Sequence, residues 1–128
     1  MKLLLDTQVF LWLIAGDVRL PLTWHDAITD KTSDVALSVA SIWEATIKYQ
    51  IGKLPLPGPA EIFLPAERIR HQIASLSITE GAIGELAKLP LLHRDPFDRI
   101  IVAQAIHEQR TLVTADMTLK GYPVTCMP

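Results

Sequence analysis

Short apolar runs of β type alternate along this chain with stretches of helical periodicity, and that alternation restricts the fold more than any other feature. Leu3–Leu5, Val35–Val39, Leu76–Ile78 and Thr111–Thr114 read as strands. Strands separated by helices do not close as tight hairpins. They pair in parallel, and the crossover helices cover both faces of the sheet. Leu3–Leu5 carries no polar residue at alternate positions, the pattern of a strand buried on both sides. The expected class is α/β with a central parallel sheet. At 128 residues, one domain with a full core and no disulfide or metal staple is expected.

Between the strands, Val9, Trp12 and Leu13 follow i, i+3, i+4 spacing and predict a helix over Thr7–Ala15. A second helix starts near Pro21 and fades around Lys31. A third runs from about Ser41 to Ile51, with Gly52 placed just past its end. Leu54–Pro59 reads as a rigid connector, followed by a helical segment that Pro65 splits or restarts. Thr79 is an N-cap, and a helix is expected over Pro96–Gln109 after the loop Pro90–Asp95. Met117–Lys120 predicts a short helical turn, and Pro123–Cys126 a final edge strand.

A formal net charge of −2 argues against a sequence-blind polyanion binder. Cys126 is the single cysteine, which excludes an intramolecular disulfide and fits a reducing compartment. Asp6 arrives too early for a secretory signal, and the apolar stretch Val9–Ala15 is far shorter than the roughly 18–20 residues of a membrane span. A cytoplasmic protein without membrane association is expected.

Four acidic residues stand where a carboxylate is awkward for folding. Asp6 ends the first strand and Asp116 follows a later one, at the edge where open α/β sheets bind ligands. Each also suits an N-cap of the helix after it. Glu44 shares a helical stripe with Ala40, Ile47 and Ile51, facing the side where an unpaired charge is costly. Its structural alternative is a capping box with Ser41. Asp98 completes a capping box in Asp95-Pro96-Phe97-Asp98, ahead of the apolar run Ile100–Ile106, and Asp95 is read as structural. Four such acids in one pocket cannot all stay ionised without a cation. All-oxygen donors select Mg²⁺ or Mn²⁺. His25, His71, His93 and His107 are scattered, with no zinc spacing, and His93, alone near the proposed site, is read as a loop surface residue, with substrate contact as the alternative.

Taken together, Leu3-Leu4-Leu5-Asp6-Thr7, Ser38-Val39-Ala40-Ser41-Ile42-Trp43-Glu44, the segment Leu92–Ala105 around Asp95-Pro96-Phe97-Asp98-Arg99, and Leu112-Val113-Thr114-Ala115-Asp116 resemble the PIN-domain ribonucleases. The likeness is in particular to VapC-like toxins of bacterial type II toxin–antitoxin modules. It implies a single PIN domain over residues 1–128, folded as a three-layer α/β/α sandwich. It assigns Asp6, Glu44, Asp98 and Asp116 to an acidic site that is both catalytic and metal-binding, with Thr7 and Thr114 as polar neighbours. Gln8 departs from the histidine or asparagine frequent in the family.

The implied activity is Mg²⁺- or Mn²⁺-dependent endoribonuclease cleavage, the cation activating water and polarising the phosphoryl group. Arg94, Arg99 and Lys48 are candidates for RNA-backbone contacts, against a reading as solvated faces; Arg99 alternatively pairs with an acid. The resemblance further implies RNA as substrate, a cognate antitoxin as partner and toxin homodimerisation. Trp12 and Trp24 line either an antitoxin groove or a dimer surface, or are ordinary core aromatics. A non-catalytic PIN-like domain binding RNA or protein is the alternative, and the four acids count against it. A phospho-acceptor receiver domain is a weaker rival: Asp6 has no acidic neighbour and no aspartate ends the strand around Leu76–Ile78. A haloacid-dehalogenase-type phosphatase would need an aspartate where Gln8 stands.

Overall fold

The computed structural model describes residues 1–128. The elements run β1 (Lys2–Leu5), α1 (Thr7–Ala15), α2 (Leu22–Thr29), β2 (Asp34–Ser38), α3 (Val39–Gln50), α4 (Ala60–Arg70), β3 (Ala74–Leu76), α5 (Glu80–Lys88), α6 (Pro96–His107) and β4 (Thr111–Val113), with a 3-10 turn over Leu119–Gly121. The strands form one four-stranded sheet in the order β3-β2-β1-β4. Every pairing is parallel: Leu3 lies opposite Val35 and Thr111, and Leu5 opposite Leu37 and Val113. This is the α/β architecture the alternating pattern implied.

Successive strand side chains point to opposite faces, so the leucines of β1 divide between two cores. Leu3 and Leu5 join Val35, Leu37 and Val113 against Val9, Phe10, Trp24, Ile28 and Leu64. Leu4 joins Ala36 and Leu112 on the other face against Ile101, Val102 and Ala105 of α6. Each leucine of β1 is fully buried, a contribution of about 2 kcal/mol apiece. Helices α1, α2 and α4 thus cover one face and α6 the other, giving three layers.

Several boundaries differ from the sequence expectation. Helix α3 begins at Val39 rather than Ser41, because the Ser38 hydroxyl caps it by accepting from Ala40 N at 3.0 Å. Pro65 neither splits nor restarts α4, which runs continuously. The carbonyl that the proline leaves without a backbone donor belongs to the exposed Glu61, where water can satisfy it. β3 is Ala74–Leu76 rather than Leu76–Ile78: the apolar anchor is the buried Ile73, while Ile78 is exposed. Helix α6 ends at His107, and Gln109 takes a positive φ of 53° beyond it. The C-terminal edge strand reduces to a parallel bridge between Leu112 and Cys126. Gly52, with φ 77°, follows the end of α3 as expected.

Candidate active site: an acidic cleft at the carboxyl edge of the sheet

The chain leaves β1 through Asp6 and enters α1 at once. Asp6 is the N-cap: its Oδ1 accepts from Val9 N at 2.8 Å. On the adjacent strand, β2 passes into α3 through Ser38, which places Glu44 on the second turn of that helix. α6 opens at Asp95, whose carboxylate accepts from Phe97 N and Asp98 N, and the following turn carries Asp98. β4 ends at Val113. After the buried Thr114, Asp116 makes a local turn by accepting from Thr118 N at 2.9 Å. All four acids reach the carboxyl edge from different elements and line one cleft of about 370 Å³, together with Thr7, Gln8, Trp12, Lys48, Asp95 and Ala115.

Capping explains Asp6 and the Asp95 carboxylate, as anticipated, but not Glu44. With Val39 at the first helical position, Ser41 lies inside the helix, and no capping box reaches Glu44. The Ser41 hydroxyl instead accepts from the Thr7 hydroxyl at 3.0 Å, tying α1 to α3 beneath the cleft. Glu44 is only 9% exposed. Its Oε2 lies 3.4 Å from Lys48 Nζ, while Oε1 is buried with no hydrogen-bond partner. A carboxylate oxygen left bare inside a protein is destabilising unless something else satisfies it.

The electrostatics carry the same message. Burial pushes the Asp6 carboxyl above its ordinary range, and the charges of Asp116 and Glu44 add to the effect. The Thr114 hydroxyl and Val9 N–H oppose it. Asp98 is pushed up to about 7, chiefly by burial and then by Asp95 and Glu44, with Asp6 adding and His93 opposing. The acids therefore feel one another as an unsatisfied negative cluster.

Sequence reasoning put His93 near the site but read it first as a loop surface residue. It is not a free surface histidine: its Nε2 lies 3.4 Å from Asp98 Oδ2 and 3.5 Å from Asp116 Oδ2. One donor atom from each of these three residues falls within 4.8 Å of the others. The available signal was local, a histidine two residues before an N-cap, with Asp95 N donating to His93 Nδ1 at 3.0 Å. Tyr122 gave no such signal, being far along the chain; its hydroxyl accepts from His93 N at 2.9 Å. Arg99 pairs with no acid, and its guanidinium donates to Pro90 O and the Tyr122 hydroxyl. Lys48 faces Glu44, and Arg94 is exposed. Trp24 is core, its indole N–H donating to Pro128 O at 2.8 Å. Trp12 is half-buried between the acidic cleft and a neighbouring groove of about 500 Å³ lined by Leu13, Val18, Leu20 and Leu22.

The residues present fit a divalent cation. Glu44 Oε1 is an orphaned buried acceptor, and the surrounding donors are carboxylate oxygens, the chemistry hard cations take. The 4.8 Å trio with His93 is a weaker indication than the orphaned oxygen, since such groupings also arise without an ion.

Comparison with known proteins gives a consistent picture. The family model for the PIN domain matches residues 3–123. Ribonuclease VapC16 of Mycobacterium tuberculosis is 37% identical over 51 residues, covering 40% of this chain and 36% of that protein, so the match spans about a third of that relative. Among solved structures, VapBC2 from Rickettsia felis, bound to a DNA fragment from its promoter, has a TM-score of 0.74 at 19% identity, with 100% of this chain and 98% of that one covered. A toxin–antitoxin complex from Klebsiella pneumoniae has a TM-score of 0.65 at 17% identity, with 98% and 96% covered. At these identities the structural likeness concerns the fold.

Proposed function

The chain belongs to the PIN-domain family, and from that premise we propose that it is a divalent-metal-dependent endoribonuclease acting as the toxin of a toxin–antitoxin pair. The observation that carries the metal requirement is Glu44 Oε1, buried without a partner in a cleft lined by Asp6, Asp98 and Asp116. The match to a ribonuclease supports RNA as substrate, and the fold shared with toxin–antitoxin complexes supports an antitoxin partner. On this reading residues 1–128 form one PIN domain working in the cytoplasm. No helix is long and apolar enough to cross a membrane.

Asp6, Glu44, Asp98 and Asp116 would hold Mg²⁺ or Mn²⁺ as oxygen ligands, directly or through water. When bound, the ion supplies an activated water and stabilises charge on the scissile phosphate. The chain's own residues do the rest. Asp6 is fixed by its cap bond to Val9 N–H, so its second oxygen is held toward the cleft at no further cost in side-chain entropy. Asp98, whose carboxyl is raised to about 7 by burial and by Asp95 and Glu44, is the acid whose ionised form gains most from a cation in the cleft. Lys48 lines the same cleft, 3.4 Å from Glu44 Oε2, and its ammonium would be available to a backbone phosphate there. An apolar antitoxin segment fits the groove beside Trp12, whose buried indole N–H lacks a partner. Pairing of two copies of the chain belongs to the same reading.

Purified protein incubated with single-stranded RNA tests the activity. Cleavage is expected with Mg²⁺ or Mn²⁺, none with EDTA, and none with Asp6→Asn or Asp98→Asn. Undiminished cleavage by either variant overturns the site assignment. Induced expression in a bacterium tests the biology: growth arrest that Asp6→Asn abolishes is expected, and a harmless wild type refutes the toxin role.

A further inference from the structure

The contacts of His93 bear on its role more narrowly than its distance from the acids does. It stands on the loop before α6, within reach of two carboxylates that no secondary element links: Asp98 belongs to α6, and Asp116 follows β4. Its ring is held from behind. The backbone N–H of Asp95 donates to Nδ1 at 3.0 Å, so Nδ1 carries a lone pair. In the neutral imidazole the hydrogen then sits on Nε2, the atom facing Asp98 Oδ2 and Asp116 Oδ2. A histidine that binds a metal through Nε2 needs the opposite tautomer, and normally donates its Nδ1–H to an acceptor behind it. Here a donor occupies that place.

The donor cannot easily be moved. The same Asp95 caps α6 through its carboxylate, so its N–H direction is set by the start of the helix. The loop is anchored again where His93 N donates to the Tyr122 hydroxyl at 2.9 Å, and Arg99 donates both to that hydroxyl and to Pro90 O. Tyr122 is buried, which fixes the anchor.

Resting on the metal-site reading above, we propose that His93 is a positioning residue and not a metal ligand: its Nε2–H spans Asp98 and Asp116 and holds their carboxylates at a separation suited to an all-oxygen cation site. The role explains how a residue in the first turn of α6 and a post-strand residue are brought into register without any direct bond between them. It also predicts which cations the site prefers. With nitrogen excluded from the shell, the hard ions Mg²⁺ and Mn²⁺ are held by oxygen alone, and loss of His93 weakens both alike.

The test is calorimetric titration of Mg²⁺ and of Mn²⁺ into the metal-free full-length protein as wild type, His93→Ala and His93→Gln. ¹⁵N NMR of the wild-type imidazole with and without Mg²⁺ accompanies it. The expected result is an Nε2–H tautomer that persists when Mg²⁺ binds. His93→Ala should weaken both ions by about tenfold, with most of the loss restored by His93→Gln, whose amide N–H lies where Nε2–H does. An Nδ1–H tautomer, or a drop in Mn²⁺ affinity far exceeding that for Mg²⁺, makes His93 a ligand and overturns the proposal; unchanged affinities in His93→Ala also overturn it. A wild type that binds neither ion refutes the metal-site reading instead. The tautomer measurement needs no variant, so a misfolded His93→Ala does not blunt the test.

Discussion

Replacing Asp98 by asparagine should make the metal-free protein more stable at neutral pH and less active. The reasoning is electrostatic. Asp98 rises from an ordinary 3.8 to about 7 because it is buried beside Asp95 and Glu44. A carboxyl whose folded value lies above its unfolded value favours folding fully only below the unfolded value. That advantage is lost as pH rises, and the loss is complete once pH passes the folded value. Metal-free wild type should therefore lose stability between about pH 4 and pH 7 on account of this one group. At about 1.4 kcal/mol per unit the shift corresponds to roughly 4 kcal/mol before screening. The side chain keeps 20% of its exposure, and water reduces the effect to about 1–2 kcal/mol. Against this, asparagine forfeits a negative charge in the first turn of α6, worth about 0.5 kcal/mol. The cap survives, because it belongs to Asp95. The net gain is about 1 kcal/mol at pH 8, or roughly 3–5 °C in melting temperature for a chain of this size. Thermal denaturation in EDTA from pH 5 to pH 9 reads it out. Asp98→Asn should show the flatter profile, and excess Mg²⁺ should narrow or reverse the difference at pH 8. A variant no more stable than wild type at pH 8 in EDTA would refute the claim that burial and neighbouring acids penalise an ionised Asp98.

Glu44→Gln should weaken Mg²⁺ binding at least about tenfold, seen as loss of the melting-temperature rise that the ion gives wild type. An unchanged rise would remove Glu44 from the site. Ser38→Ala deletes the cap bond of α3 and should cost about 1 kcal/mol by urea denaturation. No measurable loss would mean that the cap is idle. Leu4→Ala opens a cavity between the sheet and α6 and should cost about 2–5 kcal/mol, with calorimetry as the measure. A loss under about 1 kcal/mol would contradict the two-sided burial of β1.

The parallel sheet was legible because three successive leucines, Leu3–Leu5, fill β1 after Lys2 with no polar alternation, which two-sided burial explains. The helix starts at Thr79 and Asp95 were legible for a local reason: each cap bond lies within a few residues of the helix it serves. Pro65 misled because its cost falls on a carbonyl that solvent reaches, and β3 because an exposed Ile78 looked like a strand residue. The acids could be named one at a time from their awkward positions. What sequence could not supply was the bareness of Glu44 Oε1 and the placement of His93 through Tyr122. Those depend on contacts between elements, and no local pattern encodes them.

The double use of aspartates as caps and as site residues decides which substitutions separate function from folding. Asp6 Oδ1 holds Val9 N–H at the start of α1, while burial and neighbouring charges raise the carboxyl. Alanine would remove both charge and cap, costing about 1 kcal/mol in the cap alone, and would confuse a lost site with a loosened helix. Asparagine keeps an oxygen acceptor for Val9 N–H, is itself a favoured N-cap and removes only the charge. Asp6→Asn should therefore keep the fold and gain stability over metal-free wild type as pH rises through the raised Asp6 value, since the penalty of ionising a buried carboxyl disappears. Its cleavage and cation binding should fall together. Retained cation binding with lost cleavage would instead make Asp6 a residue that acts on the substrate, and the ion would then belong to Glu44, Asp98 and Asp116.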